Sequence, residues 1–224
     1  MFERLLEIIN KEDLKRIHNA KILLVGIGGV GGYTLESLVR SGFLNITIID
    51  GDVITESNLN RQIIACSNNI GEIKTNEAKK RMISINPDAK INCLNVFLTL
   101  DNFNDYIKGE YDYIIDACDD VPIKIELIKY AKNNNIKIIS CLGTGKKLDP
   151  TKLCITTLNK TYNDPLAKKL RHELRKFDIN LNIPVIFSKE EPINNKEIIG
   201  STIFVPATAG IYLANYIFLD LISK

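Results

Sequence analysis

The sequence predicts an α/β protein built on a Rossmann-like, doubly wound and mainly parallel sheet, with an appended C-terminal segment. Two observations lead to this prediction. Short apolar runs alternate with segments of helical periodicity over residues 1–142, which is typical of parallel strands joined by helical crossovers. A glycine cluster at 26–32 directly follows the apolar run 21–25 and marks a tight turn from a buried strand into a helix. The 224 residues, 45% of them apolar, suffice to bury one full core.

Apolar spacing places the elements of the first part of the chain in order. Residues 5–18 predict an amphipathic helix, because their apolar positions share one helical face. The elements predicted after it are strand 21–25, helix 29–41, strand 45–50, helix 74–85, strand 90–97, strand 112–117, helix 122–134 and strand 136–141. Ligands of such sheets bind beyond the carboxyl ends of the strands, so the polar residues there are expected to converge on one crevice.

The pattern changes after residue 142. A basic helix is predicted at 165–176 and a strand at 183–188. Residues 190–196 are a polar loop that we expect to be mobile, and whether the block from Glu190 to Gly200 closes over a substrate stays open. The chain is expected to form one domain in two parts, residues 1–142 and residues 143–224.

The stretch 198–219 carries no charged residue, and about 20 apolar residues are enough to cross a membrane. Pro206 divides this stretch, and glycines and hydroxyl side chains interrupt it. We therefore predict a strand at Thr202–Val205 followed by a core helix, and no membrane partner.

Composition leaves both nucleic acids and small molecules open as partners, since the net charge is +2 and the pI is near 8.2. The five cysteines are odd in number and show no C-x-x-C spacing. This predicts a reducing compartment, the cytoplasm, and argues against a thiolate zinc site. Basic charge is concentrated in residues 146–176, with nine Lys or Arg against three acidic residues. The excess favours an anionic polymer as partner; a solvated helix face is the alternative.

The glycine cluster indicates a nucleotide site. Gly26, Gly28 and Gly31 supply the G-x-G-x-x-G spacing, with Gly29 inside it. A backbone without Cβ atoms can approach a phosphate group, and the helix that follows presents free N–H donors. Asp50 follows the second strand, where an acid bonds ribose hydroxyls.

Two cations go beyond what a plain dinucleotide site needs. Arg61 and Lys74, together with Asn58, suit the non-bridging oxygens of a triphosphate and the charge of a pentavalent phosphorus. Asp119 offers a hard oxygen ligand for Mg²⁺. ATP and Mg²⁺ are therefore the predicted co-substrate and metal. Asp120 is expected to cap the helix that begins near Pro122.

Several motifs occur in an order that resembles the ThiF/MoeB superfamily, the ubiquitin-activating-type adenylating enzymes. These motifs are the glycines at 26–32, the run DGDVITESNLNRQ at 50–62, IGEIK at 70–74 and DACD at 116–119. The resemblance implies that a substrate carboxylate attacks the α-phosphate of ATP and forms an acyl-adenylate and pyrophosphate.

The resemblance also implies roles for single residues. Lys74 would be the transition-state cation, and Arg4 would reach the ATP site of a partner subunit, which implies a homodimer. Catalysis falls to Lys74, Arg61, Asp119 and Arg4, with Asp119 also the Mg²⁺ ligand. Nucleotide binding falls to Gly26, Gly28, Gly29, Gly31, Asp50, Asp52, Asn58, Arg61 and Lys74.

The second half resembles the bacterial tRNA threonylcarbamoyladenosine dehydratases, through GTGKKLDPT at 143–151, DPLAKKLR at 164–171, VIFSKE at 185–190 and GSTIFVP at 200–206. This resemblance implies ATP-dependent cyclisation of the threonylcarbamoyl group on a tRNA adenosine. The residues predicted to contact tRNA are Lys146, Lys147, Lys168, Lys169, Arg171 and Arg175.

Two other functions stay open. An adenylating enzyme that activates the C-terminus of a ubiquitin-like or sulfur-carrier protein would need a nucleophilic cysteine after Leu142, and Cys154 is the candidate; a sulfur-transfer protein is a further candidate partner. A nucleotide-binding module without catalysis would leave Arg61 and Lys74 incidental. Cys141 and Cys154 are otherwise expected to be small buried apolar residues.

Overall fold

The computed structural model describes residues 1–193 and 199–222. Its strands are β1 (Lys21–Val25), β2 (Asn45–Ile49), β3 (Lys90–Leu94), β4 (Tyr113–Asp116), β5 (Lys137–Cys141), β6 (Leu153–Thr157) and β7 (Pro184–Ser188). Its helices are α1 (Glu3–Leu6), α2 (Lys11–Asn19), α3 (Gly31–Arg40), α4 (Lys74–Ile85), α5 (Phe103–Tyr106), α6 (Val121–Asn133), α7 (Pro165–Arg175) and α8 (Phe204–Ile222).

All seven strands form one sheet in the order β3-β2-β1-β4-β5-β7-β6. Every neighbouring pair is parallel except β6 with β7, which is antiparallel. The predicted Rossmann-like, mainly parallel sheet is therefore confirmed. Because β6 and β7 continue the same sheet, the appended segment extends the core rather than standing apart from it.

The core lies in two layers, one on each face of the sheet. Successive side chains of a strand point to opposite faces, and β1 shows this directly: Leu24 packs in the layer with α2, α3, α4 and α8, while Leu23 packs in the layer with α5, α6 and α7. Since both faces are covered, the central strands are near-continuous apolar runs. This burial fixes the strand ends, and with them the loops that follow.

Some predicted boundaries were wrong. Residues 5–18 form two helices, because Asn10 and Asp13 build a capping box that starts α2: the Asp13 N–H donates to Asn10 Oδ1 at 2.8 Å and the Asn10 N–H donates to Asp13 Oδ2 at 3.3 Å. The strand predicted at 90–97 ends at Leu94. Helix α5 and strand β6 were not predicted.

The predicted strand Thr202–Val205 is wrong, because α8 begins at Phe204. Pro206 then lies in the first turn, where a missing N–H costs nothing. Within the described ranges, α8 is the helix with the length and hydropathy of a membrane span. It packs on α3: the Thr34 hydroxyl donates to Gly210 O at 3.1 Å, and a Cβ at Gly210 would lie 2.3 Å from Val30 O. The expected core helix is thus present. Residues 194–196 of the expected mobile loop lie outside the described residues.

Candidate functional site

A cavity of about 520 Å³ opens at the carboxyl ends of β1, β2 and β4. The helices and loops that follow these strands form its walls, as expected for a doubly wound sheet. It also takes Thr144, Ser201 and Pro206 from the appended segment. The predicted nucleotide-site residues in its lining are Gly26, Gly28, Gly29, Asp50, Asp52, Asn58, Arg61, Lys74 and Asp119.

The glycines divide into two groups by role. Gly26 has φ +91°, and a Cβ there would lie 2.8 Å from Ala117 O, so the turn after β1 requires glycine. A Cβ at Gly31 would lie 1.8 Å from Gly26 O, so this glycine lets α3 begin directly against the turn. Gly28 and Gly29 line the cavity beside Gly26, and a Cβ at either would meet no atom closer than 3.5 Å. The close backbone approach predicted for a phosphate therefore falls to these two, and Gly31 shapes the loop.

Asp50 directly follows β2, and backbone donors fix its carboxylate. Its Oδ2 accepts from the Ile27 N–H at 2.7 Å, and its Oδ1 accepts from the Asp52 N–H at 2.8 Å. Burial raises the pKa of Asp50, and the charge of Lys74 opposes that rise. A carboxylate held in this way is a rigid acceptor, which suits the hydroxyls of a ribose.

Lys74 is the first residue of α4 and is buried, with 4% of its surface exposed. Its Nζ lies 2.6 Å from Asp52 Oδ2, and its backbone N–H donates to Asp52 O at 3.1 Å. The side chain of Asp52 is half exposed at the cavity. The ammonium therefore stands at the cavity wall beside the positive end of a helix dipole, where negative charge is favoured.

Arg61 and Asn58 come from the turn that follows β2. The Arg61 guanidinium donates to Ser57 O at 2.7 Å and to Asn60 Oδ1 at 2.9 Å, and its stem would lie 3.5 Å from a Cβ at Gly29. Asn58 is buried and accepts from the Thr55 N–H at 3.1 Å. A second cation thus lies against the glycine loop and lines the same cavity as Lys74.

The loop after β4 rests on a buried ion pair. Lys124 Nζ donates to both carboxylate oxygens of Asp116, at 3.0 and 2.9 Å, and to Cys141 O at 2.8 Å. Burial lowers the pKa of Lys124, but the charge and hydrogen bonds of Asp116, together with contributions from Cys118 and Cys141, outweigh burial, so the pKa lies above its ordinary value. Sequence reasoning missed Lys124; its one signal is a lysine inside the apolar run VPIKIELI.

Asp119 and Asp120 lie between Asp116 and Lys124 in the chain. The Asp120 side chain accepts from the Ile123 N–H at 2.9 Å, which confirms the predicted helix cap. Asp119 is exposed at the cavity edge. No cluster of three His, Cys, Asp or Glu was found among residues 1–193 and 199–222. One or two carboxylates are what Mg²⁺ takes from a protein when substrate phosphates supply other ligands, so Asp119 and Asp52 fit a nucleotide-bound Mg²⁺.

The two buried or cavity-side thiols are poor nucleophiles. Burial raises the pKa of Cys141 to about 12 and raises that of Cys118 well above its ordinary value, and the thiolate is the reactive form. Cys154 lies half-buried in β6. All five cysteines are free thiols.

One predicted tRNA contact, Lys147, is buried in this structure. Lys147 is 3% exposed, its Nζ donates to Ser188 O at 3.4 Å, and it lies 3.9 Å from Asp164 Oδ2. Burial lowers its pKa. Lys147 therefore packs inside the appended segment.

The other basic residues remain at or near the surface. Lys168, Lys169 and Arg175 are exposed on α7, and Lys146 is partly exposed. Arg171 is also partly exposed and donates to the hydroxyl of Thr161. Arg4 is exposed in α1 and lies outside the lining of the cavity, so its predicted role depends on a second subunit.

Comparison with known proteins finds a matching family, similar sequences and a similar solved structure. The ThiF family model matches residues 2–208. The tRNA threonylcarbamoyladenosine dehydratase of Bacillus subtilis is 34% identical over 233 residues, 96% of this chain and 92% of that protein. The Haemophilus influenzae protein of the same name is 44% identical over 165 residues, 74% of this chain but only 63% of the relative. The Escherichia coli tRNA N6-threonylcarbamoyladenosine dehydratase in complex with ATP has a TM-score of 0.94 and 34% identity, covering 100% of this chain and 94% of that one.

Proposed function

The chain belongs to the ThiF family, and on that premise we propose that it is an ATP-dependent adenylating enzyme that dehydrates threonylcarbamoyladenosine in tRNA. One observation carries the proposal. Lys74 and Arg61 line the same cavity as the glycine loop and Asp50, so the groups for phosphate, ribose and transition-state charge are together. The E. coli relative, whose fold this chain shares over its whole length, binds ATP.

ATP would lie along the carboxyl ends of β1 and β2. The Gly28 and Gly29 backbone would receive the phosphates, and the two oxygens of Asp50 would accept from ribose hydroxyls. Asp119, with Asp52, would hold Mg²⁺, which neutralises phosphate charge when bound.

The first step joins the substrate carboxylate to AMP. A carboxylate oxygen of the threonyl group bonds to the α-phosphorus, the bond to the bridging oxygen breaks, and pyrophosphate leaves with the electron pair. Negative charge grows on the phosphoryl oxygens as the centre becomes pentavalent. The Lys74 ammonium and the Arg61 guanidinium stabilise that charge, and Lys74 must exchange Asp52 for the phosphate to do so.

The second step closes the ring. An atom of the same modification bonds to the acyl carbon, gives up its proton, and AMP leaves with the former carboxylate oxygen. The product has lost one water overall, and no enzyme thioester forms. The raised pKa values of Cys118 and Cys141 fit a reaction without a cysteine nucleophile.

We further infer the partners. The exposed Lys168, Lys169 and Arg175 of α7 support tRNA backbone binding, and the partly exposed Lys146 and Arg171 are the further proposed contacts. A homodimer would bring Arg4 to the partner's cavity. A cytoplasmic location agrees with the free thiols.

The test is mass spectrometry of tRNA nucleosides. tRNA carrying threonylcarbamoyladenosine is incubated with the protein, ATP and Mg²⁺, and a reaction without ATP is the control. We expect the modified nucleoside to lose the mass of one water, with AMP and pyrophosphate formed in equal amounts. An unchanged nucleoside would contradict the proposal, and pyrophosphate exchange stimulated by a protein C-terminus would favour the protein-activating alternative.

A further inference from the structure

One buried carboxylate connects the basic helix to the ATP cavity. Asp164 is 5% exposed and precedes α7. Its Oδ1 accepts from the Ala167 N–H at 2.9 Å, which caps the helix. Its Oδ2 accepts from the Gly143 N–H at 3.2 Å, and Gly143 opens the loop after β5. The two oxygens of one side chain therefore contact two separate backbone segments.

The loop that begins at Gly143 forms part of the cavity wall. Its next residue, Thr144, lines the cavity. The far side of the loop is tied as well, because the Lys146 N–H donates to Gly200 O at 2.8 Å and Ser201 also lines the cavity. The Asp164 side chain and the peptide bond between Gly143 and Thr144 therefore connect the start of α7 to the cavity wall.

Lys147 completes this connection from the same loop. Its Nζ is 3.9 Å from Asp164 Oδ2 and donates to Ser188 O in β7 at 3.4 Å. Both side chains are almost fully buried, so each charge needs the other. The Lys147 ammonium thus contacts both the Asp164 carboxylate and the carbonyl at the end of β7.

We propose that Asp164 is a positioning residue for the reaction: it fixes the distance between α7 and the cavity wall at Thr144, so that a tRNA held on α7 presents its threonyl carboxylate to bound ATP. The inference rests on the proposed function. Adenylation requires the attacking oxygen in near-attack geometry, and a misplacement of about 1 Å costs about a hundredfold in rate. Two hydrogen bonds on one buried carboxylate, at 2.9 and 3.2 Å, limit such displacement.

Asp164→Asn separates the two contacts. Asn caps a helix about as well as Asp, but its single oxygen cannot serve both Ala167 and Gly143 in this geometry. We expect Kd for ATP and Kd for tRNA to stay within about twofold of wild type, while kcat for tRNA dehydration falls about tenfold or more. A merely structural role would move stability and both Kd values instead of kcat alone.

Asp164→Asn also leaves the Lys147 ammonium opposite a neutral group. The double variant Asp164→Asn/Lys147→Met removes that charge and is measured beside it, and we expect it to regain thermal stability without regaining kcat. Asp149→Asn is the matched control, because Asp149 caps the short turn at Pro150–Lys152 by accepting from the Thr151 N–H at 2.9 Å. The control should turn over at the wild-type rate. Rates are compared at a temperature where circular dichroism shows every variant folded.

A folded double variant with unchanged Kd values and reduced kcat supports the positioning role. Wild-type kcat in the double variant, or Kd values that rise in step with lost stability, would make Asp164 only a helix cap and overturn the proposal. Failure of both variants to fold would do the same. If the unsubstituted protein dehydrates no tRNA, the proposed function has failed, and that result is visible before any substitution is made.

Discussion

The ATP cavity and the basic helix α7 hold their charged side chains in opposite ways. In the cavity, Lys74 is buried at 4% exposure and meets Asp52 at 2.6 Å, and Asp50 accepts from two backbone N–H groups. On α7, Lys168 and Arg175 extend into solvent from a helix surface. Transition-state stabilisation requires preorganised charge, whereas phosphate-backbone contacts need charge density more than fixed geometry. We therefore expect single substitutions to lower kcat strongly in the cavity and to weaken tRNA binding only modestly on α7.

The largest effect is expected for Lys74→Ala. Loss of a transition-state charge should lower kcat by about a hundredfold or more, while ATP affinity changes by less than about tenfold. ATP–pyrophosphate exchange in the presence of substrate tRNA measures the rate. Lys79→Ala, an exposed lysine of the same helix, is the control and should be near wild type. Unchanged exchange in Lys74→Ala would remove Lys74 from the chemistry.

Lys124→Met tests how the cavity loop is supported. The substitution leaves Asp116 buried without its cation, which typically costs about 3–5 kcal/mol of unfolding free energy. Lys129→Met on the same helix, whose pair with Glu126 is partly exposed, should cost under about 1 kcal/mol. Urea denaturation measures the change in unfolding free energy of each variant, provided that the m-value is unchanged. Equal losses in both variants would contradict a special role for the buried pair.

Charge reversal on the exposed surface of α7 tests whether its basic residues contribute to tRNA binding. Lys168→Glu with Arg175→Glu should weaken tRNA binding and leave ATP affinity intact, because these residues lie outside the cavity lining. Each lost phosphate contact should reduce the log–log salt slope of tRNA binding by about 0.7 to 0.9. Lys11→Glu with Lys15→Glu, exposed on α2, makes the same charge change elsewhere. An unaltered slope in the α7 variant would make its charge an ordinary solvated face.

The same difference explains what the sequence could predict. Asp50 and Lys74 follow from motifs, since the chain distance from a strand end or a helix start already sets their positions. The burial of Lys147 depends on Asp164 and Ser188, 17 and 41 residues away, and charge patterning cannot show that. Thr202–Val205 is rich in β-branched residues, but contacts of α8 with α3 override this local preference. The pair Asp116–Lys124 was hidden because a lysine in an apolar run reveals no partner.

A subunit-exchange experiment on the predicted homodimer tests whether the cavity is complete within one chain. Arg4→Ala and Lys74→Ala are mixed in equal amounts and allowed to exchange subunits. If Arg4 serves the partner's cavity, a hybrid dimer has one intact site and one site lacking both groups, and random exchange restores about a quarter of wild-type activity. If Arg4 serves its own chain, both sites of the hybrid are damaged. Activity no higher than that of the separate variants, with exchange verified by mass spectrometry, would contradict a shared site.

The smallest effect is expected for Cys154→Ala. Cys154 lies in β6, the edge strand paired with β7, and it is not among the residues that line the cavity. An acyl group activated beside Lys74 would be resolved by the substrate itself, so removing this thiol should leave kcat within about twofold of wild type. Loss of a partly buried sulfur should lower only the stability, by about 1 kcal/mol. Intact-mass measurement after incubation with ATP and tRNA provides the second check. A covalent acyl adduct on Cys154, or loss of turnover in the alanine variant, would place the chemistry at the edge of the sheet and not in the cavity. Either result would favour a protein-activating enzyme.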